Sequence, residues 1–199
     1  MTVLAKKPAT YADIEAAAPH VIAEIIDGQV VTRRFFGPRD GMALTRLHHT
    51  LAGPGLREMR PAAAWVMLRP EVHVGDHVLV PELGMWRRSD VWDFEDWRDF
   101  KVRPQWVLEW VTHSTNLDQH VARCRYYAEA GIPALWRVDS VASTLQTFTL
   151  AADSQWQLQK SFGADARVAA DPFPNVEIDL AALWELPWPA VTSPSEPAT

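Results

Sequence analysis

The sequence predicts a single α/β domain, a mixed central sheet flanked by helices. Three observations predict it. A strand–helix–strand run leads from Val107-Leu108-Glu109-Trp110-Val111-Thr112 through a helical segment at 117–130 to Ala134-Leu135-Trp136-Arg137-Val138-Asp139. β-rich runs joined by turn signals lie on either side of it. A hydrophobic content of 48% in 199 residues suits one core of ordinary size. The strand–helix–strand unit implies a right-handed crossover and a parallel strand pair. The domain is expected to span 10–186, between a flexible N-terminus (1–9) and a flexible Pro/Ser-rich tail (187–199).

The elements follow in order. Thr10 and Asp13 make a capping-box-like start for a short helix. In Ala23-Glu24-Ile25-Ile26-Asp27-Gly28-Gln29-Val30-Val31, the Asp-Gly pair between two β-rich runs is a hairpin signal, because glycine accepts the positive φ the turn needs. The pattern from Gly41 to Met59 predicts a helix with Met42, Leu44, Leu47, Leu51 and Leu56 on its apolar face, interrupted at Gly53-Pro54-Gly55. Strands are expected over 63–69, 71–75 and 77–86, with His73 and His77 near the tip of a hairpin. The acidic, aromatic segment 89–100 reads as a loop or short surface helix. The 117–130 helix carries Leu117, Val121, Cys124 and Ala128 along one stripe and stops at Gly131, with Pro133 beyond. A hairpin over 144–162 and a short final helix, 179–186, complete the expectation.

Composition excludes several classes. Cys124 is the single cysteine, so there is no intrachain disulfide and no zinc–thiolate cluster, which fits a reducing compartment. No apolar run reaches the roughly 18 residues of a membrane span. The N-terminus lacks the order of a signal peptide, so the cytoplasm is the expected location. A net charge of −6 argues against a generic nucleic-acid coat protein, though not against a local basic cleft.

Glu109 is the awkward residue. Strict alternation places apolar neighbours on both faces of its strand, so the carboxylate is expected to be buried, and an unpaired buried carboxylate costs several kcal/mol or more. Glu24 and Glu82 lie in similar apolar context. Three such groups at one sheet edge would make a hard-oxygen pocket for Mg²⁺ or Mn²⁺, able to polarise a phosphoryl oxygen and activate water. The alternative reading of each is a solvent-facing carboxylate or a partner for one of the fifteen arginines.

Five pieces in order resemble the restriction-endonuclease family Uma2, whose members have a PD-(D/E)XK nuclease-like fold. They are AEIIDGQV, the helix with His48-His49, VLVPEL, VLEWVTHST and RCRYYAEAGIPALWRVDS, together covering roughly residues 10 to 150. The resemblance implies a restriction-endonuclease-like mixed sheet and Mg²⁺-dependent (or Mn²⁺-dependent) hydrolysis of DNA phosphodiesters by a homodimer, one site per strand. It implies Glu82 and Glu109 as metal ligands, with Glu24 as the first acid of the site. Ser114, Thr115, Tyr127 and Gly131 match family positions, while Thr112 and His113 replace Ser and Pro.

Two positions depart from the pattern. Glu82 stands where the family has Asp, and Arg123 stands where it has the lysine that works beside the metal. A guanidinium stays protonated, so Arg123 can orient or stabilise charge but cannot act as a base. Of the four lysines, Lys101 alone is near enough in sequence to be considered as a substitute. The departures open an alternative, a catalytically impaired relative that binds nucleic acid or a protein. His120 is one turn from Arg123 and shares its face, yet it and the other histidines read first as surface or capping residues. Arg33 and Arg34, on the strand after Glu24, are the expected DNA contacts at the cleft mouth.

Overall fold

The structure is a computed structural model and describes residues 7–53, 64–91 and 102–185. Helix α1 (Tyr11–Glu15) opens with the Thr10 amide and hydroxyl both donating to the Asp13 carboxylate, at 2.7 and 2.9 Å. Strands β1 (Val21–Ile26) and β2 (Gln29–Arg34) pair as an antiparallel hairpin. Asp27 and Gly28 turn it with φ of 50° and 68°, the positive values a tight hairpin needs. Helix α2 (Pro38–Ala52) buries Ala43, Leu44, Leu47 and Leu51. It starts earlier than the apolar pattern suggests because Pro38, lacking an N–H, fits the first helical turn. Met42 is only half-buried, and the expected continuation through Leu56 lies outside the described residues.

The remaining strands are β3 (Ala64–Leu68), β4 (Val72–Val74), β5 (His77–Leu79), β6 (Leu83–Arg87), β7 (Trp106–Val111), β8 (Ala134–Asp139), β9 (Thr144–Leu150), β10 (Trp156–Phe162), β11 (Arg167–Ala170) and β12 (Phe173–Asp179). Helix α3 (Leu117–Glu129) joins β7 to β8, and α4 (Leu180–Trp184) ends the described chain, capped by the Asp179 carboxylate. Among the described residues the strands form three sheets, ordered β2-β1-β5-β4, β10-β9-β8-β7-β6-β3 and β11-β12. The β7–β8 pair is parallel, as the strand–helix–strand unit requires, while β6–β7 and β8–β9 are antiparallel. The central sheet is therefore mixed. Gly131 takes a φ of 68° just past α3, the left-handed position that ends the helix.

Three expectations need correction. The run 77–86 is not one strand: it divides into β5 in the first sheet and β6 in the second. Pro81 has no N–H to offer a ladder, and beyond it the Glu82 amide donates to the Leu108 carbonyl at 2.9 Å, drawing the chain against β7. Residues 80–82 thus cross from sheet to sheet and carry Glu82 to the junction. Second, the β11–β12 hairpin was not anticipated, because its alternation is short and broken by Pro174; Val168, Phe173, Val176 and Ile178 are its buried residues.

The third correction concerns α3. Of the expected stripe, Leu117 and Val121 are 63% and 65% exposed, while Ala128 is buried and Cys124 half-buried. The face turned inward carries His120, Arg123, Tyr126, Tyr127 and Ala128. This inward face is shifted toward His120 and Arg123 because the surface opposite α3 presents the Glu24 and Glu109 carboxylates beside apolar groups such as Val107.

One apolar cluster lies on the other face of the central sheet, beneath α2, α4 and β12, and a second, with Val107, Ile132 and Leu135 against Tyr126 and Tyr127, lies on the α3 side. In the first, Trp106, Trp136 and Phe173 meet edge-to-face, with ring centroids 5.0–5.5 Å apart. Among the described residues, no helix is long and apolar enough to cross a membrane. Segment 92–101, with Lys101, lies outside them.

Candidate functional site: a buried carboxylate–arginine cluster

Alternation along β1 and β7 turns Glu24 and Glu109 toward α3, and the Pro81 crossing brings Glu82 beside them. All three are essentially inaccessible, at 1%, 2% and 2% exposed. Arg123 reaches them from α3. Its Nε donates to both Glu109 oxygens at 3.2 and 3.1 Å, one terminal nitrogen donates to Glu109 Oε2 at 2.8 Å, and the other reaches Glu24 Oε2 at 3.4 Å. The guanidinium therefore lies between two carboxylates that are 85 positions apart in the chain.

The rest of the cluster completes the pairing. Tyr127 donates its hydroxyl to Glu109 Oε1 at 2.9 Å, and His120 Nδ1 lies 3.2 Å from Glu109 Oε2. The Val80 amide donates to Glu24 Oε1 at 2.8 Å. Arg33 bonds Glu82 Oε1 and the Val80 carbonyl, and its Nε approaches Glu24 Oε2 at 3.6 Å. Arg69 donates to Glu82 Oε2 at 2.8 Å. Every carboxylate oxygen of the cluster thus has a donor, and three carboxylates face three guanidiniums.

Position within the cluster separates the acids. Burial pushes the Glu109 carboxyl up, but the Arg123 charge, the His120 contact and the Arg123 hydrogen bonds outweigh it and hold the group far below the usual carboxylate range. At Glu24 burial prevails over Arg123, Arg33 and the Val80 amide, and Glu109 adds to it, so the carboxyl is raised. Arg123 is raised despite its burial, because Glu109 and Glu24 both favour its charge. Burial, then Glu109, pushes the Cys124 thiol up to about 12, so it is no thiolate nucleophile.

A cleft of about 460 Å³ opens above Arg123. One wall is the end of β2 with the segment beyond it, Arg33, Arg34, Phe35 and Phe36; the other is the Thr112–Asn116 turn, rich in hydroxyl groups. The Thr112 amide donates to Thr115 Oγ1 at 2.8 Å and Asn116 caps α3 through the Gln119 amide, so this wall is held in place. Arg34 and His113 are exposed at the cleft.

The structure thus brings Glu24, Glu82, Glu109 and Arg123 into one cluster. Arg33 and Arg34, expected as a pair of DNA contacts, divide: Arg33 turns inward onto Glu82 and Arg34 faces out. His120 is buried on Glu109 rather than at the surface. Arg69 was missed. It becomes visible only through the β3–β6 register, which sets Leu68 against Leu83 and so brings the Arg69 amide to the Glu82 carbonyl, 3.0 Å away.

Nuclease folds of the restriction-endonuclease type generally use a divalent metal. The donor set here does not fit one. The oxygens an ion would need are engaged, a cation already bridges two of the acids, and the formal charge of the three carboxylates is already balanced. Among the described residues, no group of three or more His, Cys, Asp and Glu is arranged to hold a metal. Glu82 and Glu109, expected as metal ligands, are here arginine ligands.

The family Uma2, described as "Putative restriction endonuclease", matches residues 8–181. The chain is also similar to a solved structure, a "putative nuclease belonging to DUF820" from Anabaena variabilis ATCC 29413, with a TM-score of 0.70. Identity is 16%, and the match covers 89% of this chain and 98% of that one, a likeness of fold. No curated protein matches the sequence.

Proposed function

The chain belongs to the Uma2 family of restriction-endonuclease type, and from that premise we propose that it binds DNA in the cytoplasm without metal-dependent cleavage. The observation that carries this reading is the Arg123 guanidinium lodged between Glu24 and Glu109, within a set of carboxylates whose oxygens are all partnered. Arg123 cannot take a proton from water, and Cys124 offers no thiolate. What the cleft offers is recognition. Arg34 supplies a charge for phosphate, the Thr112–Asn116 turn supplies hydroxyl and amide donors, and Phe35, 47% exposed, supplies a ring for a base.

The test is DNA binding by fluorescence anisotropy, with EDTA and with Mg²⁺, alongside incubation of duplex and single-stranded DNA with Mg²⁺ or Mn²⁺. The expected result is binding that survives EDTA and DNA that stays intact. Metal-dependent cleavage would overturn it in favour of a second reading, an endonuclease with Glu82 and Glu109 on the ion and Glu24 in support. The convergence of three acids favours that second reading, but it requires Arg123 and Arg33 to leave their present partners. A homodimer with one site per strand belongs to it too, and a monomer by light scattering with DNA bound would remove that part.

A further inference from the structure

The geometry points to a specific role for one side chain: the Arg123 guanidinium substitutes for a divalent cation, and the Glu24–Glu109 pair is a latent divalent-cation site that this residue keeps closed. The inference rests on the proposal that the wild-type site works without metal, and it says what that metal-free state consists of.

The division of the cluster is the first argument. Glu82 is neutralised from outside, by Arg33 and Arg69, whose side chains are 19% and 21% exposed. Glu24 and Glu109 share Arg123, which is 3% exposed and contacts both. Without that side chain, two buried carboxylates from different strands would face one gap. Their own remaining contacts would be the Val80 amide, Arg33 at 3.6 Å, the Tyr127 hydroxyl and His120. Two hard oxygen ligands beside a roofless gap under the cleft is the chemistry that Mg²⁺ or Mn²⁺ takes, with water completing the coordination.

Charge supplies the second argument. A single divalent ion between Glu24 and Glu109 would meet both charges from one point, whereas the guanidinium carries one charge and shares it unequally, three hydrogen bonds to Glu109 and one long one to Glu24, with Arg33 approaching Glu24 from the side at 3.6 Å. The guanidinium can span both acids because it is planar and forked; an ammonium is a point charge and cannot. Lysine here would leave part of the gap open.

The experiment is calorimetry of the EDTA-stripped full chain with MnCl₂, without DNA, on wild type, Arg123→Ala and Arg123→Lys, with thermal unfolding in parallel. Wild type is expected to give no binding heat and no Tm shift. Arg123→Ala is expected to bind one Mn²⁺ and gain about 5–10 °C in Tm at an ion concentration a hundredfold above Kd. Arg123→Lys is expected to bind more weakly, and Glu109→Gln added to either variant is expected to abolish the binding. Mn²⁺ binding by wild type that Glu109→Gln removes would overturn the inference, since the site would then be open. Folded variants that bind no Mn²⁺ would overturn it too. So would an Arg123→Ala protein that stays unfolded whether or not Mn²⁺ is present, because an ion able to replace the guanidinium would restore the fold. None of these readings involves DNA, so failure of the DNA-binding proposal is seen separately.

Discussion

One face of β7 is wholly apolar, and the other sets a buried ionic cluster into apolar surroundings. On the first, Trp106, Leu108 and Trp110 pack into the apolar cluster with Trp136 and Phe173. On the other, Val107 packs with Tyr126 and Tyr127, and beside it Glu109 meets Arg123, His120 and Tyr127 with comparable loss of solvent. In the first core, stability is spread over many contacts and grows with area buried, so each group contributes by itself. In the second, each charge has lost its hydration and depends on a specific partner, so the cluster is stable only as a whole. The difference lies between graded and conditional stability.

Removing one member from each core is the strongest way to test this. Arg123→Ala in metal-free buffer is expected to cost about 3–5 kcal/mol, because Glu109 is left buried and uncompensated. Trp106→Ala is expected to cost a similar amount, about 3–5 kcal/mol, through its cavity. The two should part when the damage is extended. Replacing the whole group, Glu24→Gln with Glu109→Leu and Arg123→Met, should recover most of the loss, whereas adding Phe173→Ala to Trp106→Ala should deepen it. Urea denaturation measures all four proteins. A triple variant no more stable than Arg123→Ala would show that the ionic core is not conditional in this sense.

A smaller effect separates the acids by pH. Glu109 has its folded pKa depressed, so its stabilisation is present above the unfolded value of about 4.3 and is lost as pH falls through the lower folded value. Glu24 has its folded pKa raised, so its contribution is present below about 4.3 and is lost as pH rises through the folded value. Glu24→Gln should therefore be neutral or stabilising at pH 7, by up to about 1 kcal/mol, and should flatten the decline of stability with rising pH. Glu109→Gln should remove the acid-side loss instead. Unfolding free energies from pH 3 to 8 read both, and identical profiles for the two variants would break the distinction.

The smallest expected change in stability is at the cleft. Arg34→Ala should alter unfolding by no more than about 0.5 kcal/mol, since the side chain is exposed. It should nonetheless lower the slope of log affinity for DNA against log salt by about 1. An unchanged slope would remove Arg34 from the phosphate contacts.

How much was legible beforehand differs between the cores in the same way. The hairpin at Asp27-Gly28, the parallel β7–β8 unit and the stop of α3 at Gly131 followed from local rules, since each depends on residues close together in the chain. Glu109 was legible as a buried acid from its neighbours alone. Its partner choice was not. Half of the expected stripe of α3, Leu117 and Val121, faces out while Ala128 turns in, and His120 read as a surface residue, because periodicity weighs apolar groups and is blind to what a polar face will meet. The split of 77–86 at Pro81 and the pairing of Arg69 with Glu82 depended on which strands lie side by side.

Read from the chain alone, then, were the α/β class, the main turns and helix ends, and the acids at positions 24, 82 and 109. Tertiary structure decided that arginines meet those acids, that Arg33 turns inward while Arg34 faces the cleft, and that α3 buries its charged face. The physical reason is range. Turns and caps are set by dihedral preferences within a few residues, whereas a buried charge is set by the nearest opposite charge in space, which for Glu24 is Arg123, 99 positions away.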